Sequence, residues 1–426
     1  EALRRSGYRM QPQYVAYGQI GAMLQLLPAA HREALTESRS KLNTQPTLNG
    51  MLDLIAAAQV GGAVAVPVDT AAGTGRAAPV SVARRQATLR LKSTFSTFQV
   101  ALHPMTTNAQ PRILQIGRLP LPALETELAA RYSVACLADQ ADPQGFLAAH
   151  GAEFSGVVTT ASIGLTGEVI AALPHLQVIS SFGVGFDALD IGAATARGVQ
   201  VGYTPGVLND CVADMAFALM LDVSRGIAAS DRFVRQGQWP KARFALGTRV
   251  SGKRLGIVGM GRIGQAVAER AAGFRMEVGY HNRRPAEGCA LPYFESLTAL
   301  AQWADYLVLT VAGGAGTRHL VNRDVLDALG PQGYLINVAR GSVVDEAALI
   351  DALAERRIAG AGLDVFDNEP HVPAALMALD NVVLTPHTAS ATHETRRAMA
   401  DLVLENLHAF YTSGAVRVPV PGTVAG

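Results

Sequence analysis

Three polar residues in the second half of this 426-residue chain have types suited to proton and anion chemistry: Arg340 in Asn337-Val-Ala-Arg-Gly-Ser342, Glu369 in Asp364-Val-Phe-Asp-Asn-Glu-Pro370, and His387 in Leu384-Thr-Pro-His-Thr388. Hydride addition to a carbonyl leaves a developing alkoxide, so a proton donor is required, and histidine suits that work at neutral pH. A carboxylate beside the histidine favours the imidazolium, and an arginine fork holds a substrate carboxylate. Singly, each has a plainer explanation: a surface cation, a turn cap before a proline, one of ten ordinary histidines. Each, however, sits at or just after an apolar run that reads as a parallel strand. Ligands of open α/β sheets bind at the carboxyl ends of strands, so the three converge on one crevice.

A second constellation supplies a reason for that crevice. Leu255, Ile257 and Val258 form a short apolar strand, Gly259, Gly261 and Gly264 give G-x-G-x-x-G, and Val267, Ala268, Ala271 and Phe274 continue at helical spacing. Gly259 makes the tight turn, Gly261 lets a pyrophosphate approach, and Gly264 lets the helix pack on the strand. The helix start then offers unpaired N–H groups and a positive dipole end to phosphates. In a chain with 42 glycines the pattern alone is weak, but the flanking strand and helix favour a dinucleotide. The next strand, Met276 to His281, runs into Asn282-Arg283-Arg284 about 20 residues after the turn, where the adenosine ribose is read. No acid stands at that tip to accept a free 2′-hydroxyl, and two adjacent arginines suit a 2′-phosphate, so NADP(H) is preferred over NAD(H).

The elements that must position these groups alternate as parallel α/β units do. Strands are expected at 112 to 116, 133 to 137, 156 to 160 and 177 to 181, with helices near 121 to 131, 143 to 150 and 166 to 172. After Thr204-Pro205-Gly206 a long helix carries Val212, Met215, Ala216, Leu219 and Met220 on one face and leads to six further strands: 255 to 259, 276 to 281, 306 to 311, 333 to 338, 360 to 364 and 382 to 385. A final amphipathic helix, roughly 391 to 412, returns the chain. The expected architecture is therefore two doubly wound parallel-sheet domains, Rossmann-like or flavodoxin-like, with a cleft between them. The substrate domain comprises 105–205 plus 388–426 and the nucleotide domain 206–387. Residues 1–104 read differently, with a possible helix at 18 to 36 and no Asp or Glu from Ala71 to Ala123, and are expected to be a non-native or disordered extension before Met105.

Composition bounds the rest. With 49% hydrophobic residues, 17% charged residues and a formal net charge of +1, the chain fits a globular enzyme and gives no sign of a nucleic-acid or membrane-surface partner. Cys136, Cys211 and Cys289 have no metal-ligand spacing and read as reduced thiols of a cytoplasmic protein, and no metal is expected. No apolar run reaches the roughly 18 residues needed to span a bilayer.

From about residue 111 to 420 the chain resembles the D-isomer-specific 2-hydroxyacid dehydrogenase family. The resemblance rests on Ser181-Phe-Gly-Val-Gly-Phe-Asp187, Thr204-Pro-Gly-Val-Leu-Asn-Asp-Cys-Val-Ala-Asp214, the glycine turn, Asn337-Val-Ala-Arg-Gly341 with Asp345 and Glu346, Gly362-Leu-Asp-Val-Phe366 with Glu369, and Thr385-Pro-His387. It implies that Arg340 orients the substrate and polarises its carbonyl, that His387 is the general acid and Glu369 its partner, and that the Val184 and Gly185 amides hold the substrate carboxylate. It also implies cofactor contacts at Gly259, Gly261, Arg262, Ile263, Gly264, Asn282, Arg283, Arg284, Val338, Ala339 and Asp364, the last near the nicotinamide carboxamide. The Asn282-Arg283-Arg284 turn is similar to that of the NADP-using glyoxylate and hydroxypyruvate reductases, and Gly313-Gly314 departs from the family's usual Pro-containing turn. A homodimer through the nucleotide domain is implied, with substrate size set by residues 159 to 165 and the loop at Arg118 and Leu119. Reduction of a bulkier 2-oxo acid, such as an aryl pyruvate or 2-oxogluconate, is the alternative. A non-enzymatic, corepressor-like dinucleotide sensor is the alternative outside catalysis.

Overall fold

The computed structural model describes residues 110–423, so the expectations for residues 1–104 lie outside the described residues. The first unit runs β1 (Arg112–Gln115), α1 (Pro122–Arg131), β2 (Ser133–Cys136), α2 (Pro143–His150), β3 (Gly156–Thr160), α3 (Gly167–Ala171), β4 (Val178–Phe182), α4 (Ile191–Ala196) and β5 (Gln200–Gly202). Local signals set the helix starts: Pro122 and Pro143 occupy first-turn positions, and the Asp142 and Thr166 side chains accept from Gly145 N–H and Val169 N–H. The five strands lie in the order β2-β1-β3-β4-β5, every pair parallel. β3 and β4 are buried along their whole length, because helices cover both faces. Neither α4 nor β5 was anticipated. β5 has three residues at the sheet edge, one of them Gly202, too short for a hydrophobic run to show.

Helix α5 (Asn209–Arg225) is the expected connector, with Val212, Ala216, Leu219 and Met220 buried and Gly226 closing it in a left-handed conformation. A second helix, α6 (Ile227–Arg235), follows directly and buries none of its residues. The second sheet is built from β6 (Arg254–Val258), β7 (Glu277–His281), β8 (Tyr306–Leu309), β9 (Tyr334–Asn337), β10 (Gly360–Leu363) and β11 (Val382–Leu384), all parallel. Its helices are α7 (Arg262–Gly273), α8 (Leu297–Trp303), α9 (Arg323–Leu329), α10 (Glu346–Ala354) and α11 (Ala374–Met377). The order β11-β10-β9-β8-β6-β7 puts β6 at the point where the winding reverses, and a single bridge, Tyr280 to Tyr293, stands where a nucleotide-binding sheet usually has one more strand beside β7. The glycine turn thus leaves β6 at the switch point, where a crevice must open.

The last helix, α12 (His393–Ser413), returns to the first sheet. Ser180 Oγ on β4 donates to the carbonyl of Val403, the buried Asn406 donates to Tyr203 O and accepts from Val418 N–H, and Arg397 pairs with Glu127 of α1. The chain therefore crosses between the sheets twice. Among the described residues, no helix is long and apolar enough to cross a membrane.

Candidate active site

Two adjoining cavities open along the carboxyl ends of the strands. One, of about 560 Å³, is lined by Val184, Gly185, Arg340, Glu369 and His387 together; the other, of about 850 Å³, is lined by the glycine turn and Asn282, Arg283 and Arg284. Gly261 and residues 310 to 313 belong to both, so the two form one continuous crevice.

On the nucleotide side, Gly259 has φ +104, and a side chain on Gly264 would run into the Gly259 carbonyl oxygen. Gly264 lines neither cavity; its work is to bring α7 onto β6. A side chain on Gly261 would meet nothing within 4 Å, which leaves open space in front of the N-terminus of α7. Asn282 Oδ1 accepts from Met260 N–H at 2.7 Å, so this side chain shapes the turn, while Arg283 and Arg284 are exposed and without ion pairs among the described residues. Arg262, Ile263, Val338 and Ala339 line the larger group's neighbour, the 560 Å³ cavity.

The loops after β9, β10 and β11 bring the proton chemistry together. His387 Nδ1 lies 2.7 Å from Glu369 Oε2, and Glu369 Oε1 accepts from Phe366 N–H at 3.1 Å. Burial pushes the Glu369 carboxyl up, but the His387 hydrogen bond and charge, the Phe366 amide and the Arg340 charge outweigh it and hold the group below its ordinary value. His387 has φ +51, a left-handed conformation that costs a histidine energy and needs surrounding structure to hold it. Asp364 supplies that structure. Its buried carboxylate accepts from Thr385 Oγ1 (2.6 Å), Thr388 N–H (2.8 Å), Thr388 Oγ1 (3.4 Å) and Ala389 N–H (2.8 Å), and its carbonyl accepts from His387 N–H at 2.8 Å. Asp364 lines the cavity, yet both of its oxygens are engaged in holding the His387 turn.

Arg340 is fixed at its backbone by Asn337, whose amide donates to Arg340 O at 2.9 Å and accepts from Ala339 N–H at 3.0 Å. Its guanidinium donates from Nε to Asp187 Oδ1 at 3.3 Å and from Nη1 to Ala339 O at 2.8 Å. In the sequence Asp187 is distinguished only as the end of the Ser181–Asp187 motif; its pairing with an arginine 153 residues away has no local signal. The pair needs bare backbone around it: a side chain on Gly185 would run into Arg340 Nη2, and one on Gly313 would come within 2.8 Å of both Arg340 Cγ and Asp187 Oδ2. The departure at Gly313 therefore has a physical reason in this chain. The Val184 and Gly185 N–H groups make no hydrogen bond among the described residues, so both remain available to an anion. Of the residues expected to set substrate size, Thr160, Ala161 and Ser162 line the cavity, whereas Arg118 turns away to Asp139 at 2.6 Å. Among the described residues no cluster of three His, Cys, Asp or Glu could hold a metal.

The family model for the D-isomer specific 2-hydroxyacid dehydrogenase NAD binding domain matches residues 217–389. The chain is 50% identical to 2-ketogluconate reductase of Gluconobacter oxydans over 268 residues, 62% of this chain and 86% of that protein. It is 44% identical to glyoxylate/hydroxypyruvate reductase A of Arabidopsis thaliana over 297 residues, 70% of this chain and 95% of that one. Among solved structures it is similar to the NADPH-dependent glyoxylate/hydroxypyruvate reductase of Sinorhizobium meliloti in complex with NADP and malonate, with a TM-score of 0.71, 42% identity, and coverage of 74% of this chain and 98% of that one.

Proposed function

The chain belongs to the D-isomer specific 2-hydroxyacid dehydrogenase family, an oxidoreductase family with an NAD-binding domain, and from that premise we propose that it reduces a small 2-oxo acid with NADPH, glyoxylate or hydroxypyruvate first. The observation that carries the reading is the single crevice in which Arg340, the Glu369–His387 pair and the free Val184 and Gly185 amides meet the open space before α7. In this reading residues 206–387 hold the cofactor and residues 105–205 with 388–426 complete the substrate side. The turn from Gly259 to Gly264 and the start of α7 would receive the pyrophosphate, Arg262, Ile263, Val338 and Ala339 would flank it, and the unpaired Arg283 and Arg284 would take the 2′-phosphate. Bound there, NADPH supplies the hydride.

The chain's own residues do the rest. The Val184 and Gly185 N–H groups and the Arg340 fork hold the substrate carboxylate, and Arg340 polarises the carbonyl. Nδ1 of His387 is engaged by Glu369, which leaves Nε2 as the nitrogen free to give its proton to the carbonyl oxygen as negative charge develops there. Glu369, kept ionised, stabilises the protonated ring before the transfer. Asp364 acts by holding the turn that aims the ring.

The similarity to a 2-ketogluconate reductase favours a second reading in which longer 2-oxo acids are also accepted. We assign the exposed apolar arm of α6 and its following loop, with Ile227, Val234, Trp239 and Leu246, to contact with a second copy of the chain, giving a homodimer. The unpaired Cys136, Cys211 and Cys289 suit a reducing, cytoplasmic setting. NADPH oxidation measured against glyoxylate, hydroxypyruvate, hydroxyphenylpyruvate and 2-ketogluconate, with NADH in parallel, tests the reading. Turnover of the small acids with NADPH preferred is expected; binding of NADPH with no oxidation on any acid would replace the enzyme by a sensor.

A further inference from the structure

Two adjacent arginines near the start of α12, Arg396 closing the first turn and Arg397 just beyond it, face different surroundings. Arg397 is explained by the fold: it pairs with Glu127 on α1 and with Asp401 one turn along its own helix. Arg396 has no such explanation. Its guanidinium lies 5.5 Å from the centre of the Phe182 ring, lines the same cavity as Arg340 and His387, and makes no hydrogen bond or ion pair among the described residues. The nearby carboxylate that acts on it is Asp364, and that group is already committed to four donors in the His387 turn. Helix stability does not call for it either, since a cation in a first turn sits at the positive end of the helix dipole. Burial moreover pushes the guanidinium below its ordinary pKa, the direction expected of a cation withdrawn from water without a compensating partner. An arginine carries five N–H donors, and one that is half-buried, with a ring beneath it and open cavity beside it, lacks acceptors.

Glyoxylate cannot supply them. In the arrangement above, its carboxylate is held by Arg340 and the Val184 and Gly185 amides and its carbonyl oxygen faces His387, so no atom remains. We propose that Arg396 is a specificity-determining residue that receives an acceptor oxygen carried by the substrate beyond its carbonyl carbon, whether a hydroxyl or a second carboxylate. The inference rests on the 2-oxo acid reading above and deepens it. It makes the preferred substrate class 2-oxo acids with an oxygen at the third carbon or further, with glyoxylate accepted without this contact.

The test compares Arg396→Leu and Arg396→Lys with the unaltered protein, using NADPH and four acids: glyoxylate, hydroxypyruvate, 2-ketogluconate and oxaloacetate. Losing a hydrogen bond to a charged group is expected to lower kcat/KM for the acids with an oxygen-bearing tail by about 10- to 100-fold in the Leu variant, with glyoxylate changing by less than about threefold. The Lys variant should recover part of that loss, since it keeps a donor and a charge. A loss with hydroxypyruvate and 2-ketogluconate identifies the tail oxygen as a hydroxyl, and a loss with oxaloacetate identifies it as a carboxylate. An equal loss on all four acids, whether or not the melting temperature falls with it, would show a structural role and overturn the proposal, as would no loss on any. If the unaltered protein reduces none of the acids, the 2-oxo acid reading itself fails. If it reduces glyoxylate and the ratios do not respond to residue 396, this inference alone fails.

Discussion

The two walls of the crevice are made differently. On the wall formed by the second sheet, the groups that would do chemistry follow consecutive strands β9, β10 and β11 and are tied to one another: Asn337 fixes the Arg340 backbone, Asp364 fixes the His387 turn, and Glu369 fixes the His387 ring. On the wall formed by the first sheet and α12, Thr160, Ser162 and Asp187 have partners, but Val184 N–H, Gly185 N–H and the Arg396 guanidinium line the cavity without a hydrogen bond among the described residues. The contrast teaches that reacting groups are held in place by polar side chains already satisfied within the protein, whereas recognition is left to donors that wait for a ligand. Each wall can be disturbed separately, and the pattern across substrates should show which one was touched.

The largest effect apart from the histidine is expected at Arg340, which belongs to the chemical wall yet reaches across to Asp187. Arg340→Leu removes a charge-assisted fork and should lower kcat/KM about 100- to 10,000-fold on every 2-oxo acid, measured by NADPH oxidation. A loss that depends on the acid would move Arg340 to the recognition wall. Next comes the support of the His387 turn. Asp364→Asn can no longer accept from all of its present donors and should cost about 1–3 kcal/mol of stability by denaturant unfolding, with turnover falling alongside. Full stability with full turnover would show that the turn does not depend on Asp364. On the cofactor side, replacing Arg283 and Arg284 by Ala should raise the NADPH Kd about 10- to 100-fold in a fluorescence titration and leave the NADH Kd nearly unchanged. Equal losses for the two cofactors would remove the 2′-phosphate assignment.

The smallest effect is a pH dependence that samples both units. Burial raises Tyr306, bonded to Ser224 beside β8, and Tyr411, bonded to Ser155 from α12, to about 12 from an ordinary 10.0. Both are raised acids kept neutral in the folded state. Their contribution to stability is therefore complete below pH 10 and is lost as the pH rises towards 12. Melting curves across that range should show the decline, and Tyr306→Phe and Tyr411→Phe should each flatten part of it. An unchanged slope in both variants would contradict the assignment. Glu369 works in the other direction: its depressed carboxyl contributes above its ordinary 4.5 and ceases to as the pH falls through the lowered value.

How much of this was legible depended on how local each signal is. Parallel strands buried on both faces appear as apolar runs, so β6 with Leu255, Ile257 and Val258 fully buried, and nine other strands, were readable to within a residue or two of their ends. β5 was too short, and α6 has a sharply amphipathic sequence but buries nothing within the chain, so neither announced itself as part of the core. Arg340, Glu369 and His387 could be gathered because each follows a strand, and strand ends in such sheets share one edge. Asp187 and Arg396 could not. One finds its partner 153 residues away, and the other is distinguished by what it lacks, a property that exists only once the chain is folded. Asp364 shows the remaining gap: the family resemblance implied a place near the nicotinamide carboxamide, while the hydrogen bonds that occupy its carboxylate depend on the conformation of a turn more than 20 residues later.

The general-acid role of His387 is tested most directly by one comparison: turnover of glyoxylate with saturating NADPH by His387→Ala and by the unaltered protein, with NADPH affinity measured on both. Loss of the proton donor predicts intact NADPH binding and a fall in kcat of about 10² to 10⁴. Near-normal turnover by the variant would contradict it.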